Sequence, residues 1–120
     1  MARIYSTTKA TLALRQRKRF LLSQIKISPD SLRASLVERF SLCGKANCHC
    51  HHDGAKHGPF YYLTQCLAVG KVNKFLLKAE GQQQAARLGI DHYRHLQEQL
   101  EELSQINAEL LRREEQLADD

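Results

Sequence analysis

The sequence predicts an α+β fold: an N-terminal helix, a small three-stranded antiparallel sheet with a zinc loop, and a long, coiled-coil-like C-terminal helix. Three observations predict it. Apolar residues recur at helical spacing towards both ends, the middle of the chain contains β-branched and aromatic runs, and three cysteines lie within residues 43–50. With 120 residues, the chain is expected to form a single domain, 1–120. A chain of this size buries a modest core, so a bound metal would add considerably to its stability.

The first predicted element is a basic helix over residues 7–26. Leu14, Leu21 and Ile25 recur at helical spacing and form its apolar side. Pro29 follows shortly afterwards and disfavours helix in the residue before it, which sets the end of the element.

Residues 32–78 are predicted to form a zinc-stabilised β module. Residues 32–40 fit either a second helix or a short strand, and we favour the strand. Residues 41–59 have the composition of a loop, and residues 60–68 and 72–78 read as a hairpin joined at Gly70. A lone hairpin is marginal in water, so the third strand, a helix or the metal must support it.

Residues 81–117 are predicted to form one long helix. Leucine recurs every seven residues, as in a coiled-coil seam, at Leu96, Leu103, Leu110 and Leu117. This stripe is too long to be buried on a small hairpin. It therefore packs on the first helix in an antiparallel pair, on a second copy of the chain, or on a different protein through residues 93–117.

A zinc site is predicted from the clustered cysteines. Zinc prefers four tetrahedral sulfur and nitrogen ligands, and three cysteines at this spacing supply three of them. We assign the fourth position to His57, because Gly58-Pro59 after it directs the chain into the hairpin, although His49, His51 and His52 compete for it. The predicted ligands are Cys43, Cys48, Cys50 and His57.

This predicted zinc site is structural rather than catalytic. Four protein ligands leave no open position for a water molecule, and the loop contains no glutamate to act as general acid or base. Cys66 lies apart from the cluster and is interpreted as a small packed side chain. We therefore expect no enzymatic activity.

Charge is unevenly distributed along the chain. Residues 1–40 carry nine Lys or Arg and two acids, whereas residues 81–120 carry four and nine. A basic front suits a polyanion, most often nucleic acid. The charge distribution also fits an acidic tail helix that lies against the basic front helix, and the two interpretations are compatible. If the protein binds nucleic acid, the aromatic residues Phe60, Tyr61 and Tyr62 could stack on bases. We favour the alternative, in which they belong to the hydrophobic core. The predicted nucleic-acid contacts are Arg15, Arg17, Lys18, Arg19, Arg39, Lys45, Lys71 and Lys74.

The motif Cys43-Gly44-Lys45-x-x-Cys48-x-Cys50, followed by His57-Gly58-Pro59, resembles a family of small bacterial and archaeal proteins known only as a domain of unknown function. The resemblance extends over roughly residues 10–115. It implies a short strand, a zinc loop, a hairpin and a long helix, and it supports His57 as the fourth ligand. It also implies an association with transposons and other mobile elements.

Two functions are therefore expected. The first is a nucleic-acid-binding accessory protein, with DNA or RNA as its partner, that serves a mobile element or recombinase. The second is a protein–protein adaptor or dimerisation module that uses the long helix without touching nucleic acid. Neither a signal peptide nor an apolar run of membrane-spanning length is apparent, so a cytoplasmic location without membrane contact is expected.

Overall fold

The computed structural model describes residues 9–42, 44, 45, 47 and 56–118, and it confirms the α+β prediction. Three strands, β1 (Ser35–Ser41), β2 (His57–Ala68) and β3 (Lys71–Leu77), form one antiparallel sheet in the order β1-β2-β3. The strand interpretation of residues 32–40 is therefore confirmed from residue 35 onwards. Neither helix in this part of the chain combines the length and apolar character that a membrane crossing needs. In chain order the elements are α1 (Thr11–Gln24), β1 (Ser35–Ser41), β2 (His57–Ala68), β3 (Lys71–Leu77) and α2 (Glu80–Arg112).

The chain divides into two compact units. Residues 1–29 and 93–120 form one, here called the helical unit, and residues 30–92 form the other, the sheet unit. Helix α2 contributes its first part, as far as His92, to the sheet unit, and its remainder to the helical unit.

The helical unit is an antiparallel pair of helices. Thr11 at the start of α1 accepts a hydrogen bond from Arg113, and Arg17 further along α1 bonds to Glu102. The shared core consists of four buried side chains with three half-buried ones against them. The buried members are Leu14, Leu21, Ile106 and Leu110, and the half-buried ones are Ile25, Leu103 and Leu117.

Helix α2 ends at Arg112, before the predicted end at residue 117. Glu114 adopts a left-handed conformation with φ 58°. Its amide donates to the Leu111 carbonyl at 3.0 Å, and the Glu115 amide donates to the Leu110 carbonyl at 2.9 Å. These two bonds are the pattern of a Schellman C-cap, which turns the chain out of the helix. Leu117 continues the leucine spacing because it packs against the helical core after the turn.

One face of the sheet packs on the first part of α2. Leu63 and Leu77 form a buried cluster with Ala86 and Ile90, and Leu32, Ala34 and Leu36 pack around it. The segment before β1 also touches α2 directly, because the Leu32 amide donates to the Gly89 carbonyl at 3.0 Å. A Cβ atom at Gly89 would lie 2.5 Å from the Asp30 carbonyl oxygen. Glycine is therefore needed at residue 89 for this close approach.

Candidate functional site

The predicted zinc site can be located only in part. His57 begins β2 and pairs with Ser41, near the end of β1. Cys43, Cys48 and Cys50, like the competing His49, His51 and His52, lie outside the described residues. Among the residues that the structure describes, no three Cys, His, Asp or Glu side chains are grouped as metal ligands would be. Ser41 and His57 flank the segment that carries the three cysteines and are paired in the sheet. The two ends of that segment are therefore next to each other, and His57 lies at one of them.

Gly58, next to the predicted histidine ligand, has its own structural role. Its φ is 138°, a conformation that favours glycine, and an added Cβ would lie 2.8 Å from the Arg39 carbonyl oxygen. The chain here passes close to β1, where the register shifts between Arg39 and Ser41. The glycine of the His-Gly-Pro motif is therefore required by the backbone, whatever His57 binds.

Three of the predicted nucleic-acid contacts on α1 bind other parts of the helical unit. Arg17 donates from both Nε and Nη2 to Glu102, with Nη2 at 2.9 Å from Oε1. Lys18 is only 7% exposed and donates to the Leu117 carbonyl. Arg15 donates to the Gln116 carbonyl at 2.8 Å and lies 3.5 Å from the Glu115 carboxylate. The tail therefore lies against the basic helix, as one of the two compatible interpretations expects.

Acidic residues of α2 are neutralised in the same unit. Glu109 is 8% exposed and accepts hydrogen bonds from Arg112, at 2.9 Å, and from Arg113, at 2.6 Å. The bonds from Arg112 and then Arg113, reinforced by the two positive charges, lower the pKa of Glu109 to about 2. The basic residues near the end of α2, Arg112 and Arg113, thus stabilise the charged form of a nearby carboxylate of the same helix.

The predicted contacts in the sheet unit are exposed. Arg39 lies on β1, and Lys71 and Lys74 lie on β3, all with exposed side chains. Lys45, between β1 and β2 in the chain, is also exposed. Neither Arg39 nor Lys71 forms a salt bridge with a residue in the described part of the chain. Lys74 extends over the Tyr62 ring, with Nζ 5.1 Å from its centroid. Arg19 on α1 is exposed as well.

The strand alternation separates aromatic residues that the sequence interpretation had grouped. Tyr61 lies on the face towards α2, where the Arg87 guanidinium is 4.9 Å from its ring centroid. Phe60 and Tyr62 must then point to the opposite face, because successive strand residues alternate. We call that opposite face the distal face. By the strand register its residues are Ser35, Val37, Arg39, Phe60, Tyr62, Thr64, Cys66, Val72, Lys74 and Leu76.

The distal face is partly apolar and carries positive charge only. Each of its ten residues is exposed or half-buried, and none is Asp or Glu. Cys66 is among the exposed residues, so its interpretation as a packed side chain is wrong. Two positions are cationic, Arg39 and Lys74, and three aromatic or aliphatic side chains, Val37, Tyr62 and Leu76, form one row across the strands. The sequence interpretation missed this face, although the period-two alternation of β2 separates Tyr62 from Tyr61.

The chain matches a known protein family over part of its length. Residues 11–67 match a family described as a domain of unknown function, DUF6788. The matched region contains α1, β1, the cysteine segment and nearly all of β2, whereas β3 and α2 lie beyond it. The chain is thus similar to that domain over slightly less than half of its length. Neither the curated proteins nor the solved structures include a significant match.

Proposed function

We propose that this protein is a nucleic-acid-binding accessory protein in which a structural zinc site stabilises the sheet unit. The observation that supports nucleic-acid binding most directly is the set of exposed cations on the sheet, Arg39, Lys71 and Lys74. Contacts to phosphates depend on such side chains and need no sequence recognition. Nucleic-acid contacts by Arg15, Arg17 and Lys18 are less well supported. Their charged groups already bind carbonyls and carboxylates of the helical unit.

Salt dependence tests this function. Binding of the full chain to labelled DNA and RNA should weaken as salt rises, because phosphate contacts release counterions. The double substitution Arg39→Ala/Lys74→Ala should reduce the slope of log affinity against log salt by roughly 1.5. The exposed pair Lys26→Ala/Arg94→Ala removes the same charge from the helical unit and should change the slope less. Binding that is absent at low salt, or insensitive to salt, would refute the proposal.

The zinc site is proposed to consist of Cys43, Cys48, Cys50 and His57. Support comes from the donor set and from the pairing of His57 with Ser41 at the closure of the cysteine segment. The purified protein should contain about one zinc per chain. His57→Ala and Cys48→Ser should each lower the zinc content, whereas Cys66→Ser should not, because Cys66 is an exposed residue of β2 outside the cluster. Less than about half an equivalent of zinc in the unsubstituted protein would contradict the site.

A second candidate function is assembly through residues 93–117, with another copy or a partner protein. Leu103 and Leu110 already belong to the helical core, so they are unsuitable for testing it. Leu100 and Leu111 are 49% and 60% exposed and lie on one side of α2, about three turns apart. If they form an assembly surface, Leu100→Asp and Leu111→Asp should lower the mass measured by light scattering. A monomeric parent protein would exclude the homodimer, and unchanged recovery of a partner would exclude the adaptor.

We extend the first proposal to service of a mobile element or recombinase on the basis of the sequence resemblance alone. Recovery of the protein from native cells, scored for both bound nucleic acid and bound protein, is the experiment that addresses this part. Recovery without transposon-encoded protein or mobile-element nucleic acid would argue against it.

A further inference from the structure

The distal face of the sheet combines two aromatic side chains with two cations. Its two aromatic residues, Phe60 and Tyr62, lie on the central strand, and each is only half-buried. Separated by one residue, they are about 7 Å apart along β2, which leaves room for two separate flat groups. Arg39 is paired with Phe60 in the register, and Lys74 extends over the Tyr62 ring. Each aromatic residue thus has a cation beside it.

We infer that the distal face binds an unpaired nucleic-acid strand, with bases stacked on Tyr62 and Phe60 and phosphates close to Arg39 and to a Lys74 side chain displaced from the Tyr62 ring. This inference rests on the proposed function and specifies its ligand. A base stacks on an aromatic ring whatever its identity, and sheet faces with exposed aromatic residues use this contact for single strands. In a duplex the bases are paired and stacked with each other, so their faces are not available to a flat sheet.

Charge complementarity favours a polyanion over a protein partner. The ten residues of the distal face include two cations and no carboxylate. A strand of nucleic acid brings negative charge along its entire length, together with flat apolar bases. The remaining apolar residues of the face, among them Val37 and Leu76 on either side of Tyr62, extend the surface on which a base can lie.

The inference predicts a preference for single strands and a specific role for Tyr62. The full chain should bind a short labelled oligonucleotide at least about tenfold more tightly than the same sequence annealed to its complement. Tyr62→Ala should weaken single-strand binding at least about fivefold at every salt concentration, with the salt slope unchanged. Lys74→Ala should instead reduce the slope by about 0.7. Tyr62→Phe retains a ring and should retain most of the affinity.

A spectroscopic signal reports the stacking itself. The chain contains no tryptophan, so Tyr62→Trp introduces a single reporter on the distal face. Its emission should be quenched by the single strand, and much less by the duplex at the same concentration. The matched substitution Tyr93→Trp, in the helical unit, should show little quenching with either ligand. Circular dichroism of each variant verifies that the fold is retained.

The outcomes distinguish this inference from the function on which it rests. Equal affinity for single strand and duplex, with no loss in Tyr62→Ala and no quenching in Tyr62→Trp, would overturn the sheet-face inference while leaving nucleic-acid binding in place. Absence of binding to either ligand at low salt would overturn both. Single-strand preference together with Tyr62-specific loss and quenching supports both.

Discussion

Arg17 and Glu102 are joined by two hydrogen bonds across the helical unit, from Nε and Nη2 of the guanidinium to the two carboxylate oxygens. The Glu102 side chain is 6% exposed, whereas that of Arg17 is 35% exposed. A carboxylate so deeply covered is stabilised by this bidentate partner, because two charge-assisted hydrogen bonds offset part of the cost of removing the charge from water. The arginine, by contrast, can reach water if the pair is broken.

Substitution of Arg17 is therefore expected to destabilise the protein. Arg17→Ala should lower the free energy of unfolding by about 2 kcal/mol, because the Glu102 carboxylate loses its bidentate donor. Urea denaturation measures the change. The control is Arg94→Ala, which removes an exposed arginine from α2 and should stay within about 0.5 kcal/mol of the parent. Equal effects of the two substitutions would show that the pair contributes little.

The same pairing gives a prediction about binding. Arg17→Ala, measured where the protein remains folded, should leave the salt slope of nucleic-acid binding close to that of the parent, because its charge already faces Glu102. Arg39→Ala, at an exposed position of β1, should reduce the slope. Anisotropy titrations at several salt concentrations measure both. A larger slope change for Arg17→Ala than for Arg39→Ala would assign the nucleic-acid contact to α1 instead.

Glu109 predicts a pH dependence of stability. Its pKa falls from 4.5 to about 2 in the folded protein, because the charged form accepts hydrogen bonds from Arg112 and Arg113. A lowered folded-state pKa stabilises the fold above pH 4.5, and this contribution is lost as the pH falls towards 2. Between those pH values, the unfolding free energy of the parent should decrease more steeply than that of Glu109→Gln. Glu101→Gln, an exposed carboxylate of α2, should keep the steep dependence. Parallel profiles for parent and Glu109→Gln would contradict the prediction.

The sequence predicted most elements of the fold from local signals, whereas residues 32–40, which contain β1, fitted either a helix or a strand. The aromatic run of β2 and the glycine at residue 70, with φ 77°, mark the hairpin, and the spacing of Leu14 and Leu21 marks the side of α1 that is buried. The end of α2 was less predictable. The leucine spacing continues to Leu117, although the helix ends at Arg112. Leu117 is apolar because it packs against the helical core after the chain has turned out of the helix.

The candidate site was only partly predictable, because local patterns do not reveal long-range partners. Arg17 and Arg39 are both arginines of the basic first third of the chain, so the sequence does not distinguish them. In the structure Arg17 binds Glu102, 85 positions later in the chain, whereas Arg39 lies exposed on β1. The alternation of β2 separates Tyr61 from Tyr62, but only the packing against α2 shows which of the two lies on the α2 side. The three cysteines of the zinc prediction lie outside the described residues. The structure therefore does not test that prediction, which rests on the preference of zinc for cysteine and histidine ligands.

Gly89 predicts a substitution with an effect opposite to helix propensity. Alanine normally favours a helix interior over glycine by about 1 kcal/mol. Gly89→Ala should nevertheless destabilise the protein by roughly 1–3 kcal/mol, because the new Cβ would lie 2.5 Å from the Asp30 carbonyl oxygen. Gly81→Ala is the matched control on α2, since a Cβ there meets nothing within 4 Å, and it should cause no loss. Thermal denaturation of both variants measures the difference, and a stabilised Gly89→Ala protein would exclude the close approach.

Glu114 predicts a stabilising substitution at the end of α2. The residue has φ 58°, which costs a side chain more than it costs glycine, and its amide completes the C-cap by bonding to the Leu111 carbonyl. Glu114→Gly should therefore raise the unfolding free energy by about 0.5 kcal/mol, after the greater flexibility of glycine in the unfolded chain offsets part of the gain. Ala108→Gly, in the regular part of the same helix, should lower it by about 1 kcal/mol. Chemical denaturation of the two variants measures opposite signs if the cap is formed. A loss at both positions would mean that residue 114 remains helical in solution.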